Sequence, residues 1–160
     1  MSFSRFLAVL TAFVLFAAQP VLAQSVLPNY VGTWKGAGQV TGPDGGNVKC
    51  KMVFSQTNAG KLKYTGRCSL SQGSTSFTGT LVYNESSKRY EAVGSAQGVT
   101  TQSVGKQQGS SIIFSTSGSD TKYGTVSSTM VFSPAQIQVK FKVVNPKGET
   151  MTSNIALAKS

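Results

Sequence analysis

The chain has 160 residues and a formal net charge of +10 at neutral pH, from 15 lysines and arginines against 5 aspartates and glutamates. Its length predicts one domain, and its lack of histidine excludes His-based triads, His-ligated zinc and haem held by histidine. Five carboxylates and two cysteines leave few candidates for a catalytic cluster of any kind.

Residues 1–23 are predicted to form a secretory signal peptide. Arg5 precedes an apolar run over 6–18, and Val21 and Ala23 stand at the −3 and −1 positions of a cleavage site before Gln24. The apolar run is shorter than the roughly 20 residues that a membrane-spanning helix needs. We therefore expect an exported bacterial protein, periplasmic or extracellular, with residues 24–31 as an N-terminal arm and 32–160 as a single β-barrel domain.

Export changes how the two cysteines are interpreted. An oxidising compartment favours a disulfide between Cys50 and Cys68. A metal site at these cysteines would need two further ligands, and only scattered carboxylates are available. We predict the disulfide, no metal site and no cofactor.

Apolar residues recur at every second position from Gly32 onward, and turn residues interrupt the pattern every 8–12 residues. This alternation is typical of antiparallel strands with one buried face. Nine strands are predicted, and the polar segment 97–110 is either a loop or an irregular tenth strand. The predicted inward positions of the first strands include Trp34, Val40, Cys50, Phe54, Tyr64, Cys68, Phe77, Tyr83, Tyr90, Ile112 and Phe114. Those of the last three strands include Val126, Ser128, Met130, Phe132, Ile137, Val139, Phe141, Val143, Met151, Ser153, Ile155 and Leu157.

Turn residues predict how neighbouring strands are aligned. A three-residue loop at 58–60, with Gly60 in the left-handed position, places Cys50 opposite Cys68. This alignment agrees with the disulfide, which is predicted on separate grounds. A similar loop at 146–148 places Val139 opposite Ile155.

Two further turns give two further alignments. A type II′ turn at Gly73-Ser74 sets Leu70 opposite Phe77, and a loop centred on Asp44 sets Trp34 opposite Phe54. Successive hairpins of this number tend to close, because closure removes exposed strand edges. We predict an all-β, antiparallel up-and-down barrel of 8–10 strands; a two-sheet sandwich is the alternative.

The first strand carries the clearest family resemblance. Gly32-Thr33-Trp34 resembles the Gly-x-Trp opening of lipocalins and avidins. In lipocalins this tryptophan plugs the closed end of the barrel and packs against an arginine on the last strand, where this chain has Lys159. The chain also looks like a group of small exported bacterial barrels without an assigned activity.

A second resemblance concerns the arm. A single early disulfide and a tryptophan on the first strand are similar to the periplasmic barrel inhibitors of bacterial metalloproteases. Those inhibitors act through an N-terminal arm, and the resemblance implies such a role for residues 24–28.

Aromatic residues at inward positions are the candidate ligand-binding residues. Tyr64, Tyr83 and Tyr90 face inward from three successive strands, and buried hydroxyls need partners, so we expect them to meet a ligand at a mouth of the barrel. Trp34 is the fourth candidate, and a packed plug is the simpler interpretation of this residue. The expected ligand is small and apolar or amphipathic.

Basic residues form a patch on the opposite, outward face. The patch consists of Lys35, Lys49, Lys51, Lys61, Lys63 and Arg67. It indicates either an anionic partner, such as an envelope polymer, or a solvated basic surface. No aromatic residue is interleaved there to stack bases, so nucleic acid is not expected.

Catalysis is not expected. Asp44, Glu85, Asp120 and Glu149 lie in predicted turns, and Glu91 faces outward. We therefore predict no catalytic residues and a non-enzymatic binding protein of the bacterial envelope. The alternatives are a protease inhibitor that uses its N-terminal arm and a structural envelope protein without a ligand.

Overall fold

A computed structural model of the protein describes residues 25–43, 45–58, 60–120 and 124–160. The predicted signal peptide and Asp44 lie outside the described residues. Among the described residues, no helix is long and apolar enough to cross a membrane.

Within the described residues, ten antiparallel strands close into one barrel, in which every strand pairs with its neighbours in the chain and the last pairs with the first. The predicted barrel is confirmed, with the strand number at its upper limit, and the irregular segment forms the sixth strand. The strands are β1 Gly32–Thr41, β2 Gly46–Asn58, β3 Lys61–Leu70, β4 Gly73–Asn84, β5 Arg89–Ala96, β6 Val99–Gln108, β7 Ser111–Asp120, β8 Gly124–Phe132, β9 Gln136–Val144 and β10 Thr150–Lys159.

The period-two pattern of the sequence appears directly in side-chain burial. In β2, Val48, Cys50, Met52 and Phe54 are buried while the residues between them are mostly exposed. A pleated strand presents alternate residues to opposite faces, so the apolar set fills the barrel and the polar set faces solvent.

The alignment of Cys50 with Cys68 and the disulfide are confirmed, although Asn58 pairs with Lys61 and therefore belongs to β2 rather than to the loop. Cys50 lies opposite Cys68 and the two are bonded, and Phe54 lies opposite Tyr64. A register shift between Gln56 and Asn58 accommodates the extra residue of the loop. The alignment of Val139 with Ile155 is confirmed as well.

The predicted alignment of Leu70 with Phe77 is wrong. The turn is formed by residues 71–72 instead of 73–74, so Leu70 lies opposite Gly73 and Phe77 lies opposite Gly66. A side chain at Gly66 would overlap the Phe77 ring. The observed alignment therefore sets the inward Phe77 against Gly66, the inward glycine of β3, which leaves room for the ring.

The predicted alignment of Trp34 with Phe54 is also wrong, because Trp34 lies opposite Met52. The amide of Gly45 donates a hydrogen bond of 3.0 Å to the carbonyl of Gly42, and Gly42 adopts a φ of 107°. A turn closed at these residues moves the centre of the loop by one position. In both cases the partner residue changes by an even number of positions along its strand. Because side chains alternate between the two faces, the predicted inward residues still face inward.

The N-terminal segment closes one end of the barrel. Residues Leu27–Tyr30 form a 3₁₀ turn in which Leu27 and Tyr30 are buried. The Tyr30 hydroxyl donates to the carbonyl of Phe132 at 3.0 Å, and the Trp34 indole donates to the carbonyl of Tyr30 at 2.8 Å. Within the described residues, the predicted arm is thus packed against the barrel beneath Trp34.

Lys159 completes this closed end. It lies opposite Trp34, with its ammonium 5.9 Å from the centre of the indole ring and donating to the carbonyl of Asn29 at 3.1 Å. A cation at this distance is attracted to the electron-rich ring face. Lys159 therefore occupies the place that the lipocalin resemblance gives to an arginine.

Candidate functional site at the open end of the barrel

Cross-strand alignment arranges the inward residues of β7 to β10 in three rows. The middle row runs Thr116, Ser128, Phe141 and Ser153. The rim row above it is Gly118, Val126, Val143 and Met151, and the lower row is Phe114, Met130, Val139 and Ile155. A band of three hydroxyls thus lies between two apolar rows, on the wall that leads to the open end.

Ser153 is the unusual member of the hydroxyl row. Its residue is only 6% exposed, and its hydroxyl has no hydrogen-bond partner among the described residues. It lies between Val40 and Phe141, which offer it only apolar side chains. An unpaired buried hydroxyl costs about 1–3 kcal/mol of stability, so the site favours a molecule that brings a polar atom to it.

Burial decreases from the lower row to the rim. Phe114 and Ile155 are buried, Met130 and Phe141 are half-buried, and Val126 is 38% exposed although it faces inward. Apolar inward residues that remain reachable by solvent form the wall of a pocket rather than a sealed core. The wall is most open on the side of β6 to β8.

The wall is interrupted on that same side, between β6 and β7. These strands pair only from Gly105–Phe114 to Gln108–Ser111, although β6 pairs with β5 as far as Val99. Among the described residues, 99–104 and 115–120 are therefore paired on one side only. We call this interruption the β6–β7 seam.

Apolar side chains and a depression accompany the seam. A depression of about 520 Å³ lies over it, lined by Val93, Val104, Ser115 and Ser117 among others. The large apolar side chains that are exposed within the described residues all belong to β5, β6 or β8: Val93, Val99, Val104 and Val126. The seam therefore offers a side opening of mixed polarity next to the open end, because Glu91, Gln102 and Thr116 also line the depression.

Tyr64 is the predicted site residue that reaches the seam. Its ring lies over Gly79 and Gly94, which have no side chain to obstruct it, and its hydroxyl donates to the carbonyl of Val93 at 3.5 Å. The hydroxyls of Tyr64 and Thr101 lie on the same side of Gly94. Burial raises the pKa of Tyr64 above its usual value, so the phenol stays neutral at physiological pH.

Trp34, Tyr83 and Tyr90 lie elsewhere, at the closed end. The rings of Tyr83 and Tyr90 are 4.8 Å apart, and the Tyr90 hydroxyl donates to the side-chain oxygen of Gln107 at 2.9 Å. Burial raises the pKa of Tyr90. Burial, together with repulsion from an ionised Tyr90, raises the pKa of Tyr30 to about 12. The structure does not bring these residues together with Tyr64.

The six predicted basic residues lie on the outer wall. Lys35, Lys49, Lys51, Lys63 and Arg67 are exposed and Lys61 is half-buried. Lys51 lies opposite Arg67, as predicted, and also opposite Lys35. The patch is therefore separated from the hydroxyl row by the thickness of the sheet.

The hydroxyl row was not among the predicted site residues. Its signal was present in the sequence, because Ser128 stands between apolar inward residues, as does Ser153. A polar residue at an inward position of an apolar strand needs a partner inside the barrel. What the alternation does not indicate is that the two serines flank the same residue, Phe141.

No protein-family model matches the chain, and no curated protein sequence does. Solved structures share the fold. Rv2717c from M. tuberculosis is 16% identical with a TM-score of 0.63, covering 84% of this chain and 94% of that one. The S-type phycobiliprotein lyase CPES from Guillardia theta is 10% identical with a TM-score of 0.58, covering 83% and 89%. At these identities the likeness establishes a lipocalin-like barrel fold.

Proposed function

We propose that this chain is an exported, non-enzymatic binding protein that holds one small amphipathic molecule in the open half of its barrel. The observation that carries the proposal is the buried, unpaired hydroxyl of Ser153 in a wall of half-buried apolar residues. A ligand with an apolar body and a polar group satisfies both features at once.

The hydroxyl row is a single narrow band, which supports a ligand with one polar group rather than a wholly polar ligand. Ser153, Ser128 and Thr116 are the hydroxyls of one row, and the rows above and below contain only apolar residues and Gly118. Burying a ligand carbonyl or hydroxyl at this level is compensated by a hydrogen bond, whereas a polar group at either neighbouring level has no partner in these rows.

The β6–β7 seam supports a route for the ligand. Val93 and Val104 line its depression together with polar side chains, which suits an amphipathic molecule, and the inward Thr101 is exposed beside it. Strands paired on one side separate more readily than strands paired on both, because fewer backbone hydrogen bonds hold them. We therefore propose that the ligand enters between β6 and β7.

Two features support a binding role without chemistry. The carboxylates of Glu85 and Glu149 lie in exposed turns, and Glu91 accepts a hydrogen bond from Asn84 on the outer wall. Within the described residues, no three potential metal-ligating side chains are grouped. The predicted signal peptide supports export, and the Cys50–Cys68 disulfide is typical of an oxidising compartment.

A matched pair of substitutions on β7 tests the proposal. Gly118 faces inward at the rim with open space around it, and Ser119 faces outward on the same strand. The ligand is represented by N-phenyl-1-naphthylamine, a neutral amphipathic dye whose fluorescence rises in apolar surroundings. Gly118→Phe places a ring in the mouth, whereas Ser119→Phe places the same ring in solvent.

We expect the parent to bind the dye saturably at one site. Gly118→Phe should bind about tenfold more weakly, and Ser119→Phe within about twofold of the parent. Melting temperatures of both variants serve as the fold control. A parent that binds no dye, or two variants that bind equally, would overturn the interior site.

A further inference from the structure

Three like charges lie in line across β1, β2 and β3. Lys35 is directly opposite Lys51, and Lys51 is directly opposite Arg67; all three side chains are exposed. Adjacent strands are about 4.8 Å apart, so three cations are held within roughly 10 Å. We call these three residues the basic row. Like charges in opposite positions weaken a sheet, so folding itself does not favour the arrangement.

No carboxylate compensates the basic row among its cross-strand neighbours. The next residues in line are uncharged: Ala158 of β10 lies opposite Lys35, and Ser76 of β4 lies opposite Arg67. The guanidinium of Arg67 donates to the hydroxyl of Ser74 at 2.6 Å, which holds the cation at the surface without neutralising it. The positive potential of the row therefore stays available to a partner.

A furrow lies beside the basic row on the outer wall. Its volume is about 540 Å³, and Lys51 and Arg67 form part of its lining. The remaining lining combines hydroxyl and amide side chains with a smaller apolar part: Val53, Thr65, Ser76, Thr78, Ser95, Gln97, Gly66, Phe77 and Ala96. Cations and neutral hydrogen-bonding groups are thus combined in one concave surface.

We infer that this furrow binds an acidic polysaccharide. Carboxylate or sulfate groups of such a polymer match the basic row, and its sugar hydroxyls match the hydroxyl and amide lining. The furrow's apolar side chains are few, Val53, Phe77 and Ala96, which is a poor anchor for a lipid bilayer. The inference is independent of the interior ligand, because the basic row on β1 to β3 and the hydroxyl row on β7 to β10 belong to different strands and opposite faces of the sheet.

Charge-matched variants test the inference. The row variant is Lys35→Gln, Lys51→Gln and Arg67→Gln. The control variant is Lys106→Gln, Lys140→Gln and Lys142→Gln, which removes the same charge from exposed positions on β6 and β9. The control is stringent, because Lys140 and Lys142 flank another hydroxyl-lined depression of about 290 Å³.

Binding is measured to alginate and to dextran sulfate, with neutral dextran as the reference polymer. We expect the parent to bind both acidic polymers at about 0.05 M salt and to release them as added salt shortens the screening length. The row variant should bind about tenfold more weakly, with a melting temperature equal to the parent's or higher, whereas the control variant should lose less than about threefold.

Three results of the polymer assay and one of a vesicle assay would overturn the inference. The parent fails to bind either acidic polymer, the row variant binds as well as the parent, or both variants lose affinity equally, which would reduce the effect to net charge. Vesicles of anionic phospholipid are assayed in parallel. Stronger binding to these vesicles than to the polymers would assign the furrow to a membrane surface and contradict the polysaccharide.

Discussion

Ser153 shows how one hydroxyl group can cost stability and serve binding. Its neighbours in the row are Val40 and Phe141, and the described residues offer its oxygen no partner. Ser128 lies on the other side of Phe141 but is only half-buried, so solvent can satisfy it. The two serines are therefore similar in position and different in environment, which makes them a natural comparison.

We predict that Ser153→Ala raises the free energy of unfolding by about 1 kcal/mol, because it removes an unsatisfied buried hydroxyl. Ser128→Ala, the matched control, should change it by less than about 0.5 kcal/mol. Urea unfolding monitored by the fluorescence of Trp34 measures both. A loss of stability on Ser153→Ala would mean that the hydroxyl already has a partner, and the main observation behind the interior site would be lost.

At the scale of strands, inward glycines decide which large side chains fit the wall. Tyr64 lies over Gly79 and Gly94, and Phe77 lies over Gly66. A side chain at Gly79 would overlap both the Tyr64 ring and the carbonyl of Val93. Gly118 on β7 meets nothing within 4 Å, so its lack of a side chain has no comparable packing role.

We predict that Gly79→Ala lowers the free energy of unfolding by about 1–3 kcal/mol through overpacking. Gly118→Ala should be neutral or raise it by up to about 1 kcal/mol, because alanine restricts the unfolded chain more than glycine does. Denaturant unfolding of both variants compares the two positions directly. Equal effects would show that Tyr64 is not held against the glycines of β4 and β5.

The sequence predicts strands more reliably than it predicts the alignment between them. Two turns with a glycine in the third position gave the correct partners of Cys50 and Val139. The predicted partner of Phe77 was wrong because the ring needs the space over Gly66, and local turn chemistry does not contain that cross-strand information. The predicted partner of Trp34 was wrong because the first loop closes at Gly42 and Gly45 rather than around Asp44.

At the scale of the whole molecule, the closed barrel follows from alternation and from the pressure to remove strand edges. The binding site does not follow in the same way. Tyr64, Tyr83 and Tyr90 share an inward face, yet the stagger of neighbouring strands in a barrel separates Tyr64 from the other two along its axis. The hydroxyl row likewise becomes a row only once the pairings of β7 to β10 are known.

The barrel also separates two chemistries. Its inner wall on β7 to β10 is apolar with one band of hydroxyls, and its outer wall on β1 to β3 is basic. A neutral amphipathic molecule and an acidic polymer would therefore bind without competing. The closed end, held by Leu27, Tyr30 and Trp34, is packed and contributes stability.

The most direct test of the interior site uses the methionine methyl groups, labelled with ¹³C and observed by NMR during titration with N-phenyl-1-naphthylamine. Met130 and Met151 are half-buried in the lower and rim rows, whereas Met52 is buried on the opposite wall beside Trp34. We predict saturable shifts and dye contacts at Met130 and Met151, with smaller changes at Met52. Dye binding that leaves the Met130 and Met151 signals in place would contradict a ligand in the open half of the barrel.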